Sequence, residues 1–120
     1  MLEMTFYSHD KDTVEVVEFS EEFYKWLINS DFSKIGKSEE KEMKGDEEVV
    51  KIPVVVLEGQ NRRKFSNFFR DAIVQASDDM LSKLGNSPSK QEYLDASYSL
   101  KMLQELRKFV EDEKIKYLSR

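Results

Sequence analysis

The sequence predicts an α+β fold: a mostly antiparallel sheet of three strands, or four, with one short helix and a C-terminal antiparallel helical hairpin packed on one face. Three observations predict it. Leu2, Met4 and Phe6 alternate with Glu3, Thr5 and Tyr7, the period of a half-buried strand. Two further stretches, 13–19 and 49–57, are rich in valine and other strand formers. From Phe65 onward, apolar residues recur at spacings of three and four, the signature of amphipathic helices.

The elements follow in order. Ser8-His9-Asp10-Lys11-Asp12 is a polar turn that joins the first two strands into a hairpin. In the second strand the alternation slips between Val16 and Val17, which predicts a bulge or burial on both sides. Ser20 then caps a short helix, with Glu21 and Glu22 at its positive end. Phe23, Trp26 and Leu27 fall on one helical face, and Phe32 and Ile35 are expected to tuck back onto the core. Residues 37–48 hold nine charges and one large apolar side chain, Met43, so they read as a mobile loop. A charged edge strand ending at Gly45-Asp46 is the competing reading.

Val49 to Leu57 is the third strand, and Pro53 places it at an edge or a bulge because proline cannot donate to a ladder. A helical crossover between the second and third strands would make those two parallel, with strand order 2-1-3. Phe65, Phe68, Phe69, Ala72, Ile73, Ala76, Met80, Leu81 and Leu84 line one face of a long helix stopped at Gly85. A second long helix is expected from about Pro88 to about Tyr117. Its start is either the proline or, one turn on, a capping box of Ser89 with Glu92. Its apolar arc is wider than one helix seam requires, which predicts packing on the sheet as well or apolar surface left for a partner.

Length and charge bound the function. At 120 residues the chain fits one domain with a core of its own. It has no cysteine, so disulfides, thiolate metal sites and a cysteine nucleophile are excluded. The N-terminal residues lack the basic start and apolar run of a signal peptide, and no stretch is apolar enough for a membrane span. A soluble cytoplasmic protein is the expectation. Residues 1–60 hold 7 Lys against 15 Asp and Glu, a net of −8, while residues 61–120 are net +3. An acidic half repels nucleic acid and anionic membrane and attracts a basic protein.

Catalytic groupings are sparse. The single histidine, His9, lies among turn-forming aspartates, and no nucleophile elbow accompanies it. The four glycines are isolated, so no phosphate loop is present. Runs of carboxylates read as solvated faces, and no cofactor or metal is expected. The densest basic site is Arg62-Arg63-Lys64 at the start of a helix, a possible seat for an anion or a solvated turn.

These features predict a non-enzymatic protein-binding or inhibitor protein, of the kind that an immunity protein or antitoxin represents, acting on a basic toxin or enzyme. The predicted contact surface is Glu39, Glu40, Glu42, Asp46, Glu47, Glu48 and Lys51 on the charged segment and the strand after it. The alternatives are an enzyme or ligand binder using carboxylates with Arg62 and Arg63 in a cleft between sheet and helices, and a structural homodimer through the last helix.

Overall fold

The computed structural model describes residues 2–44, 48–85 and 89–120. The elements run β1 (Leu2–Ser8), β2 (Val14–Phe19), α1 (Glu21–Asn29), a 3-10 turn (Asp31–Lys34), β3 (Glu39–Lys44), β4 (Val49–Val56), α2 (Gly59–Gly85), α3 (Lys90–Glu111) and β5 (Ile115–Ser119). All neighbouring strands pair antiparallel, in the order β2-β1-β5-β4-β3. The α+β class holds, and the sheet has five strands rather than three or four.

Both extra strands have local causes. Residues 39–44, expected first within a mobile loop and alternatively as a charged edge strand, form the edge strand. Their backbone completes a six-pair ladder with β4 that asks nothing of side-chain polarity. Met43 is buried on it, and Glu42 lies opposite Lys51, a favourable cross-strand pair. The last helix, expected to reach Tyr117, instead stops at Glu111, with Asp112 as its C-cap. Glu113 and Lys114 fall where the apolar face would have to continue. The chain turns there, and β5 buries Ile115 and Leu118.

The insertion of β5 overturns the expected order 2-1-3. With β5 between β1 and β4, the 49–56 strand runs antiparallel to β2 rather than parallel to it. Pro53 is tolerated because only Val55 and Val56 of β4 pair with β5. The bulge expected at Val16 and Val17 is absent, since β1 and β2 pair in unbroken register. Val17 and Phe19 are buried while Val14 and Val16 stay on the open face, and the register shift lies at Tyr7/Ser8 against β5.

The helices cover one face of the sheet. Met4 and Phe6, Val17 and Phe19, Val55 and Leu57, and Ile115 and Leu118 meet Phe65 and Phe69 of α2 and Leu103, Leu106 and Val110 of α3 in one core. Phe6 stacks on Phe109 with centroids 4.9 Å apart. Ser20 caps α1 by accepting from the Phe23 N–H, as its sequence position predicts. Ser89 caps α3 in the box with Glu92, so the chain uses the alternative start rather than the proline. Gly36 has φ +67°, and a Cβ there would lie 2.8 Å from Val55 Cγ1, so both conformation and space call for glycine.

α2 and α3 run antiparallel, since the start of α2 meets the end of α3. Glu111 joins them: it accepts from Ser66 at 3.0 Å and from Arg70, and pairs with Arg107 at 2.9 Å. Burial pushes its carboxyl pKa up, but the Arg70 and Ser66 hydrogen bonds and the two arginine charges outweigh that and leave it lowered. A lowered folded pKa means that the ionised form stabilises the fold. The contribution is complete above the ordinary glutamate value of about 4.3 and is lost as pH falls through the folded value. Glu111→Gln is therefore expected to cost up to about 1 kcal/mol at neutral pH. The difference from the parent should close in acid, once the pH has fallen below the lowered folded value. Urea midpoints at the two pH values check this, and an equal deficit at both would assign the loss to shape rather than charge.

Candidate functional site

α1 stands beside the hairpin of α2 and α3. Between them lies a groove of about 1110 Å³. Ser20 fixes the α1 wall from its cap position, because its own N–H donates to the Tyr98 hydroxyl on α3 at 2.8 Å. Phe23 of α1 is buried and meets Tyr98 edge-on at 6.1 Å. Trp26, one turn along, is 46% exposed and lies 5.6 Å from Phe23 and 6.2 Å from Phe68 of α2. These aromatic rings all line the groove.

Helical spacing lays out the rest. Phe68, Ala72 and Ala76 are four residues apart and form one row along α2, and Asp71, Gln75 and Asp79 form the next row beside it. Leu94 and Tyr98 of α3 complete the apolar lining, and Leu94 is 48% exposed. The Ser97 hydroxyl on the same wall is buried without a hydrogen-bond partner among the described residues. The rim is one-sided in charge. Glu22, Asp31, Asp71, Asp79 and Asp95 line it, and Lys101 is the sole base among the described lining residues. Asp31 meets Lys34 at 3.8 Å, and among the described residues Asp79 and Asp95 accept from glutamine amides, Gln75 and Gln91. No ion pair within the described residues neutralises Glu22, Asp71, Asp79 or Asp95.

None of the residues predicted as a site lines this groove. Glu39, Glu40, Glu42, Glu48 and Lys51 are exposed on the β3–β4 hairpin, and Lys41 pairs with Glu39 at 3.7 Å. Asp46 and Glu47 lie outside the described residues. The basic cluster does not converge on a common point. Arg62 turns inward, where its two terminal nitrogens donate to the carbonyls of Leu57, Val110, Asp112 and Ile115 at 2.6–2.9 Å. Desolvation lowers its pKa against the pull of Asp112, Glu113 and Glu58. With those donors committed, Arg63 and Lys64, both exposed, are what remains of the cluster for an anion.

The space between sheet and helices is core, filled by Phe65, Phe69, Leu106 and Val110, so the cleft expected there with Arg62 is closed. The carboxylates of the groove are spread along its rim. Among the described residues no group of three His, Cys, Asp or Glu stands so as to hold a metal ion. His9 sits in the β1–β2 turn, where its backbone N–H donates to the Lys114 carbonyl at 3.1 Å. No helix among the described residues is long and apolar enough to cross a membrane. The α2 row was legible in the sequence, but the α1 wall that makes it a groove was not, because Trp26 and Phe68 are 42 residues apart. No family model, curated protein or solved structure matches this chain.

Proposed function

We propose that this chain is a non-enzymatic binding protein that docks a basic partner protein in the groove between α1 and the helical hairpin. By covering the partner's surface it inhibits that partner, in the manner of an immunity protein or antitoxin against a toxic enzyme. One observation carries the reading: an open floor of Trp26, Phe68, Leu94 and Tyr98 is ringed by five carboxylates and a single lysine. Buried aromatic anchors supply most of the energy of such contacts, while charge sets encounter rate and partner choice. The exposed glutamates of the β3–β4 hairpin add potential of the same sign.

The test compares capture by the parent with capture by Asp71→Lys, Asp79→Lys, both positions being exposed. Pull-down from the native host at low salt should enrich a specific basic protein with the parent. The doubly reversed variant should lose it, and so should about 0.5 M salt in proportion to screening. Capture of the same proteins by parent and variant, unchanged by salt, overturns the proposal.

A further inference from the structure

We infer that the occupant of this groove is one basic amphipathic α-helix of the partner, an inference that rests on the binding function proposed above. The walls are themselves helices, whose backbone groups are spent within each helix, so the groove offers no edge to which an extended strand could add. Its volume of about 1110 Å³ is above the usual range of roughly 300–1,000 Å³ for small-molecule pockets, and its shape is an open trough rather than an enclosed cavity.

The α2 rows also fit a helix. The floor row of Phe68, Ala72 and Ala76 runs for about 12 Å at 1.5 Å per residue, a ridge of the kind into which a second helix packs. Ala72 and Ala76 are small, so the backbone of a docked helix can approach closely at that end. Parallel to them, Asp71 and Asp79 stand two turns apart on one side. A helix that lays leucine-like residues on the alanine row brings lysines or arginines at matching spacing onto these carboxylates. The charge excludes an acidic helix, and it disfavours a second copy of this chain, whose net charge is −5.

The probes are three capped peptides of about 18 residues, long enough to hold a helix. One carries leucines on one helical face and lysines on the flanks. The second is a scramble of the same composition without the face. The third is the first with glutamate in place of lysine. The chain has one tryptophan, Trp26, inside the groove, so its emission reports occupancy directly when the peptides contain none. The amphipathic basic peptide is expected to shift Trp26 emission to the blue and to gain helical ellipticity on binding. The scramble should bind at least about tenfold more weakly, and Asp71→Lys, Asp79→Lys should weaken the first peptide by about tenfold or more.

Equal binding of the basic peptide and its scramble removes the helix while leaving a basic partner in place. Equal binding of the basic and acidic peptides removes both. Failure of every peptide, with charge-dependent capture of a whole protein intact, overturns the helix alone. A dimer by sedimentation that the same charge reversal abolishes would put a second copy in the groove and overturn the inference.

Discussion

Arg62→Ala is expected to lower the stability of the fold by about 3 kcal/mol. The side chain acts as a clasp between three elements. It donates to Leu57 O just before α2, to Val110 O and Asp112 O at the end of α3, and to Ile115 O at the start of β5. The last carbonyls of a helix have no partner within it, and a cation there also offsets the negative end of the helix dipole. Hydrogen bonds from a charged donor contribute about 1.5–3 kcal/mol each. Arg62 is only half-buried, so water re-enters and recovers part of the loss. For a domain of this length the cost corresponds to a fall of roughly 10–15 °C in Tm.

Lysine is a poor substitute, because one ammonium cannot span four carbonyls held by a planar fork. Arg62→Lys should recover less than half of the loss. Arg63→Ala, the same chemistry one residue on but exposed, should stay within about 0.5 kcal/mol of the parent. Urea titrations followed by circular dichroism give all three values. A cost below about 1 kcal/mol for Arg62→Ala would show that water replaces the clasp fully. None of the groove lining touches Arg62, so the folded variant should still bind the basic helical peptide with parental affinity.

What could be read from the sequence and what could not divide along the range of the interactions. The first strand, the Ser20 cap and the Ser89–Glu92 box depend on neighbours within four residues, and each stands where its pattern puts it. The strand at 115–119 was hidden by a helical pattern that looked continuous. The break was nevertheless written in Glu113 and Lys114, which are charged where the buried face would have to continue. The edge strand at 39–44 was hidden for a different reason. A ladder is formed by backbone groups, so a run of glutamate and lysine left the strand as the competing reading behind a mobile loop, with the lone buried Met43 as its side-chain signal.

The role of Arg62 could not be read at all, because three of its four acceptors lie 48, 50 and 53 residues away. The groove lies between these cases. Its alanine and aspartate rows are periodic features of α2, yet only the placement of α1 turns a helix face into a trough. The charge asymmetry of the sequence pointed to an acidic docking surface and located it on the 39–51 segment. The acidic groove draws on both halves: Glu22 and Asp31 come from the acidic half, and Asp71, Asp79 and Asp95 from the half whose net charge is positive.

Phe32 packs against Phe68 of the groove lining, and Phe32→Ala is expected to be the costliest single core substitution near the groove, at about 3–5 kcal/mol. The ring is 1% exposed and packs among Phe65, Phe68 and Phe69 with centroids 5.3, 6.0 and 5.6 Å away. The Arg120 guanidinium lies 5.6 Å above it and donates to the Phe32 carbonyl at 2.8 Å. Removing the ring deletes three aromatic contacts, leaves a cavity where four rings met, and takes away the face on which Arg120 rests. Phe68 lines the groove, as does Asp31, which precedes Phe32 in the 3-10 turn, so the loss reaches the groove. Trp26 packs on Phe68, and its emission should therefore shift to the red in the folded variant, with weaker binding of the basic peptide in step. Phe32→Leu, which refills most of the volume, should cost well under half as much and keep the parental emission. Urea unfolding followed by Trp26 fluorescence and by circular dichroism checks both. A cost under about 1 kcal/mol for Phe32→Ala, with Trp26 unmoved, would mean that the neighbouring phenylalanines close over the gap and that the groove wall does not depend on this ring.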